Sequence, residues 1–251
     1  MATSAADLAS VTTSGDRARS RRSREHWFYS ALAILIAIAV FVGFAPSYYL
    51  KAHYAVPPPL TSVLHVHGAV FTLWIVLLVT QTSLVAADRT DLHRRLGVFG
   101  GIVAVVMTFF AAYVPISRFQ EGLLGTSPGA PPAAILLAIA LGSFVVFPVL
   151  VGSALYYRRR PDFHKRLMII ATCEVVTAAF GRWPVVGGNP LTFFAAADVF
   201  VLALVVHDLV TLRKVHSATL WGGLFFILSE PVRVGLSMTP AWAAFAAWLK
   251  S

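Results

Sequence analysis

The chain has 251 residues, of which 58% are hydrophobic and 12% charged, and its mean hydropathy is +0.76. That balance excludes an ordinary water-soluble domain of this size and makes lipid the expected solvent. A formal net charge of +9 would fit a nucleic-acid binder in a soluble protein. Here the basic residues sit in short connections between apolar runs, where they set membrane topology, and no nucleic-acid partner is expected. The single cysteine, Cys173, lies inside an apolar run, so one chain can build neither a disulfide framework nor a cysteine metal cluster.

Residues 1–26 are rich in Ser, Ala and Arg and read as a disordered cytoplasmic tail, with Arg17, Arg19, Arg21, Arg22 and Arg24 crowded before the first apolar run. That run, 27–50, is longer than a signal-peptide core of roughly 7–15 residues and lacks a small-x-small cleavage site, so a retained first helix is expected. A second run, 62–87, follows the Pro57-Pro58-Pro59 turn, and a third covers 97–116. Beyond a Gly/Pro-rich external loop, 122–132, lie runs at 133–157, 167–186, 191–212 and 219–236. Each is near the roughly 20 residues that a hydrocarbon core of about 30 Å requires. The expected fold class is all-α, a polytopic bundle of about seven transmembrane helices over 27–239 whose main partner is the lipid bilayer. The closing segment, 240–251, sets Trp242, Phe245, Trp248 and Leu249 on one helical side, which suits an interfacial helix or a kinked extension of the seventh.

Lys and Arg gather in alternate segments. Fifteen of the twenty fall in the tail, in the connection holding Arg89, Arg94 and Arg95, in the one holding Arg158, Arg159, Arg160, Lys165 and Arg166, and at Arg213 and Lys214. Cytoplasmic connections retain positive charge, so the N-terminus is expected inside and the C-terminus outside.

A short repeat joins two of those connections: Asp91-Leu92-His93-Arg94-Arg95-Leu96 and Asp162-Phe163-His164-Lys165-Arg166-Leu167, 71 residues apart. Each copy stands at the cytoplasmic start of an odd-numbered helix, as in a parallel repeat of helix pairs. An Asp can cap a helix, basic residues can snorkel to phosphate and an interfacial His can act as one more anchor. Imidazole in both copies leaves a ligand role open as well, because it can bind a metal or haem iron and exchange protons near neutral pH.

Polar ionisable groups inside spans are rare unless they face protein or water. His65 and His67 open the second span about 200° apart on a helix, so only one can face a given ligand. His67 shares its stripe with Phe71, Trp74, Leu78 and Gln81, and His65 shares its own with Ala69, Thr72 and Val76. Further on come Glu174 and Arg182, then Asp198, His207 and Asp208, then Glu230 and Arg233. Sorted by depth, His65, His67, Arg182, Asp198, Glu230 and Arg233 fall in the outer half, and Glu174, His207, Asp208, His93 and His164 toward the cytoplasm. An outward polar pocket and an inner cluster follow. The plainer alternatives are a self-neutralising Glu230–Arg233 pair beside Pro231, and Asp208 paired with Arg213 or Lys214.

The set His65-Val66-His67-Gly68, Gln81, Asp91-x-His93-Arg94-Arg95-Leu96-Gly97, Asp162-x-His164-Lys165-Arg166-Leu167 and Thr219-Leu220-Trp221-Gly222-Gly223 resembles a family of uncharacterised bacterial multi-pass membrane proteins. The likeness covers most of 28–249. It implies a bacterial cytoplasmic (inner) membrane location and no particular activity. A more distant similarity, in helix number and helix-borne histidines, is to membrane b-type cytochromes, which place two histidines on facing helices at matching depth. This chain departs from them on the outer side, where His67 has only His53, in a connection, as a partner.

Three functional classes follow. One is a redox or cofactor-binding protein with haem b or a transition metal held by His93, His164 and His207, or by His67 (or His65) with an outer carboxylate. The second is a small-molecule or proton-coupled transporter or channel using Asp198, Glu230, Arg182 and Arg233, with Gln81 and Glu174 as further polar lining. The third is a membrane enzyme or structural subunit acting on lipid-like molecules.

Overall fold

The computed structural model describes residues 5–54, 60–126 and 129–251, all of it helices and their connections, with no strand among the described residues. Helix α1, Ala5–Phe44, takes residues 5–26, read above as a tail, into its leading turns and runs on through a π-helical turn at Ala45–Tyr49. A short helix α2, Lys51–Tyr54, follows; the Pro57-Pro58-Pro59 turn lies outside the described residues. Then come α3, Ser62–Ala86, α4, Thr90–Gln120, α5, Ala133–Tyr156, α6, Pro161–Phe180, α7, Pro190–Leu212, α8, Ser217–Ser237, and α9, Pro240–Trp248.

Five of these stretches are long and apolar enough to cross a membrane: Ser23–Tyr49, α3, α4, α5 and α7. The chain is a multi-pass helical membrane protein on that count. Its surface agrees, because Val98, Ile102, Val105 and Phe109 form an exposed apolar stripe along α4 of the kind that suits lipid.

Helix α6 falls short of the apolar criterion for a physical reason. It packs against α1, α5, α7 and α8 at once, and thirteen of its twenty residues are buried, Arg166, Thr172, Glu174 and Thr177 among them. A helix sheathed by protein has polar neighbours to satisfy polar side chains, so its sequence need not be uniformly apolar. Its bounds also differ from the expected 167–186. Pro161 sits at N1, where its missing N–H costs nothing, so the second copy of the repeat forms the first turns of the helix. The helix stops at Phe180, before Gly181, Pro184, Gly187 and Gly188.

Helix α8 is one-sided. Thr219, Gly222, Gly223, Phe226, Glu230 and Arg233 recur at helical spacing and are buried, while Leu228, Val232 and Leu236 are exposed. Close approach of backbones sets the packing at Gly43, where a Cβ would collide with the carbonyl of Ala179 and so hold α1 off α6. Helix α9 is a new helix, not a continuation of α8. Thr239, in extended conformation, caps it by accepting from the amide of Trp242, and the Trp242 indole donates to the Ala134 carbonyl at 3.0 Å, docking α9 on the end of α5.

Candidate functional site

Four helices meet in a buried polar cluster. Ser143 on α5, Glu174 on α6, Asp198 on α7 and Glu230 on α8 each lie thirteen or fourteen residues from the same end of the bundle, the end formed by Tyr156, Pro161, Leu212 and Ser217. At about 1.5 Å per residue that is one common level, about 20 Å in. The depth sorting above is thereby corrected: Glu174 belongs with Asp198 and Glu230, not with the cytoplasmic group.

Arg233 anchors the cluster. Its guanidinium takes Glu174 in a two-pronged bond, Nη2 to Oε1 at 2.5 Å and Nη1 to Oε2 at 3.0 Å, with 4% of Arg233 and 5% of Glu174 exposed. Ser143 donates to Glu174 Oε2 at 2.6 Å, Arg233 Nη2 donates to the Ser229 hydroxyl at 2.6 Å, and the Phe194 ring lies 5.9 Å from the guanidinium carbon. Gly142 makes room, since a Cβ there would collide with the methylenes of Arg233. The Glu230–Arg233 pair expected from their spacing is not formed. Glu230 is 5% exposed, and its Oε1 is buried with no hydrogen-bond partner among the described residues, as is Asp198 Oδ1. Among the described residues one cation thus serves three carboxyl groups, and Glu174 holds it.

The second buried pair lies at the Pro161 end. Arg166, 2% exposed, donates through Nη2 and Nε to Asp208 Oδ1 at 2.5 and 3.0 Å, and Asp208, fully buried, also accepts from the Thr219 hydroxyl at 2.6 Å and the His216 amide at 3.1 Å. Asp208 therefore pairs across helices, not with Arg213 or Lys214. Lys165 bonds Glu25 and Asp162, which ties α1 to the same corner. In the connection to α8, His216 Nδ1 accepts from the Ala218 amide at 3.1 Å and caps the helix. Burial, with the charge of Arg166 nearby, pushes this imidazole below its ordinary value.

The repeated histidines come together. His93 and His164, each the fourth residue of its helix, have ring centres 6.2 Å apart and planes at 84°. His207 does not join them; its ring stacks on Phe28 at 4.0 Å. His67 packs on Phe71 and Phe110 with Nδ1 unpartnered, and no carboxylate bonds it among the described residues. His65 is exposed beside Tyr48. Arg182, grouped above with the outer pocket, is exposed, lies over the Phe44 ring at 4.4 Å and donates to the Ala178 carbonyl; of the residues in that group its charge acts on His67, and it bonds none of the carboxyls of the Glu174–Arg233 cluster among the described residues. Gln81 sits instead by the histidine pair, its backbone next to the His93 ring.

Among the described residues no group of three or more His, Cys, Asp or Glu is disposed to hold a metal ion. Sequence reasoning missed Ser143 and Ser229, whose hydroxyls inside apolar runs carry no local mark; it named Thr219 only within a motif and Arg166 only as a topological and interfacial charge of the repeat, without the bonds they make. Comparison of the chain with protein-family models, curated proteins and solved structures finds no match.

Proposed function

We propose that the chain crosses the membrane seven times, N-terminus inside and C-terminus outside, and that it takes up and hands on protons at the carboxyl cluster of Glu174, Asp198 and Glu230. The charge asymmetry of the connections supports the topology, with α6 and α8 as the two spans that protein neighbours allow to be polar.

The observation that carries the functional reading is the bare Glu230 Oε1, one helical turn from an arginine committed to Glu174. An unpaired carboxylate inside a bundle costs several kcal/mol, so a carboxyl left without a cation holds a proton instead. Arg233 Nε is itself buried with no partner among the described residues, so the guanidinium has donor capacity left over. A proton arriving on Glu174 weakens its hold, Arg233 turns to Glu230 on its own helix, and Glu230 then gives up its proton. Charge is conserved throughout: one neutral carboxyl and one ion pair stand on each side of the step. Asp198, across from Glu230 on α7 and likewise without a cation, is the next group in line: it accepts that proton on its bare Oδ1 as it passes on the one it already holds.

The test uses full-length protein reconstituted in liposomes holding a pH-sensitive dye, with a potassium diffusion potential across the bilayer. Proton flux above that of empty liposomes is expected, with flux abolished in Glu230→Gln and sharply reduced in Asp198→Asn. An infrared carboxylic C=O band at neutral pH, absent from Glu230→Gln, is the companion signature. Wild-type protein with neither flux nor that band overturns the reading.

A further inference from the structure

The two copies of the Asp-x-His-basic-basic-Leu repeat differ in what their basic residues do. Arg94 and Arg95 are exposed, as interfacial anchors are, whereas Lys165 and Arg166 turn inward to Glu25, Asp162 and Asp208. The histidines do not follow either pattern. Both are half-buried, and their rings meet between α4 and α6, centres 6.2 Å apart and planes at 84°. A pair of anchors gains nothing by converging.

The hydrogen bonds define which nitrogens are free. His164 Nδ1 lies 2.9 Å from the Ala154 carbonyl, which can only accept, so Nδ1 carries the hydrogen and the lone pair is on Nε2. A ring nitrogen bonded to a backbone carbonyl is the usual arrangement behind a metal-ligating imidazole. On the other side, His93 Nδ1 is buried with no partner among the described residues. Gln81 adds a further unsatisfied buried atom beside it, Oε1.

Distance then selects the chemistry. With an ion about 2.0–2.1 Å from each nitrogen, two imidazoles in trans have ring centres about 6.3 Å apart, and at a tetrahedral angle about 5.2 Å. The observed separation is 6.2 Å. The geometry points to a transition-metal centre held between His93 and His164 in trans, the coordination that copper(I) adopts as a bare two-coordinate ion and that haem iron adopts with two axial histidines. Both ligands are neutral nitrogen donors of the kind these metals accept, and no third acidic or thiolate donor is required. The site is independent of the carboxyl cluster, which lies about 15 Å further along α6 by helical rise, ten residues from His164 to Glu174.

Full-length protein in mild detergent is titrated anaerobically with copper(I) against a competing chelator, and a second preparation comes from haem-sufficient cells. One arm expects a single copper per chain, with two nitrogen ligands by X-ray absorption. The other expects the low-spin spectrum of a six-coordinate haem with two histidines. Whichever metal binds, His93→Gln and His164→Gln should lose it and His207→Gln should keep it. His93→Gln, which removes no Nδ1 hydrogen bond, keeps the experiment decisive if His164→Gln fails to fold. Wild-type protein that takes up neither metal, or uptake that survives both substitutions, overturns the assignment and leaves the proton-flux assay untouched.

Discussion

Glu230 and Arg233 stand one turn apart on α8 and do not pair; Arg233 reaches across to Glu174 on α6, and Glu230 is left buried with a bare carboxyl oxygen. The choice makes Glu174–Arg233 the inter-helix tie. Arg233→Met leaves Glu174 buried without a cation, which costs about 3–5 kcal/mol. The double variant with Glu174→Leu removes both charges and should recover most of that loss, because desolvation and attraction nearly cancel in buried pairs. Unfolding of all three proteins in mixed micelles checks this. A double variant as unstable as the single one would show that the pair is not the source of the effect.

Gly142 bears on the same tie from α5. A Cβ at this position collides with Cδ, Cγ and Nε of Arg233, whereas at Gly152, on the same helix, it meets nothing within 4 Å. Gly142→Ala should therefore destabilise by about 1–3 kcal/mol through overpacking. Gly152→Ala should be neutral or slightly stabilising, as expected of a helix interior. Thermal unfolding of both variants reads the difference, and equal midpoints would mean that Arg233 can step aside without loss.

Five of the seven expected runs, those at 27–50, 62–87, 97–116, 133–157 and 191–212, were legible because a helix meeting lipid must be apolar along about 20 residues, and the run at 191–212 coincides with α7 to within a residue. The bounds of α6 were not. Its first turns are polar, with Asp162 bonded to Lys165 and Arg166 buried against Asp208, so hydropathy alone starts it too late. Pairing was less legible still. Glu174 and Arg233 are 59 residues apart in sequence, and the rotation of α6 and α8 that brings them together depends on packing at Gly222 against Leu167 and at Gly223 against Val201. Nearest-neighbour spacing favoured Glu230–Arg233 and Asp208–Arg213, and in both cases a partner from another helix won. The histidine repeat, in contrast, announced its two members by motif, and the helix starts then bring their ring centres to 6.2 Å.

Topology has its own test. A reporter that works only in the cytoplasm, fused after Arg89 or after Arg160, should be active, and one fused at Gly125 should be silent. Five of the helices meet the length and apolarity needed to span, and the connections carrying these sites alternate in Lys and Arg content. Activity at Gly125 with silence at Arg89 would invert the bundle and with it the side from which protons enter.

His216 makes stability depend on pH in a defined direction. Its Nδ1 accepts from the Ala218 amide at the start of α8, so the cap exists only while that nitrogen is unprotonated. Arg166 and Lys165 from α6 oppose its protonation, Asp208 from α7 and Asp162 from α6 favour it, Phe163 presents its ring, and burial outweighs the attraction. The folded value is thus below the unfolded 6.5, the unfolded chain binds the proton first, and the contribution of His216 is fully present above pH 6.5. It is lost as pH falls from there to the folded value, and below that the penalty is constant. Three proteins isolate the effect from the other histidines. His216→Asn caps the helix without titrating, so its stability relative to wild type should rise as pH drops from about 7 to about 5. His216→Ala should be weaker than wild type by about 0.5–2 kcal/mol at pH 8, the cost of an absent cap, with that deficit shrinking in acid. Denaturation midpoints for the three across that range decide it: parallel curves for His216→Asn and wild type would mean that the imidazole neither caps nor titrates in the folded protein.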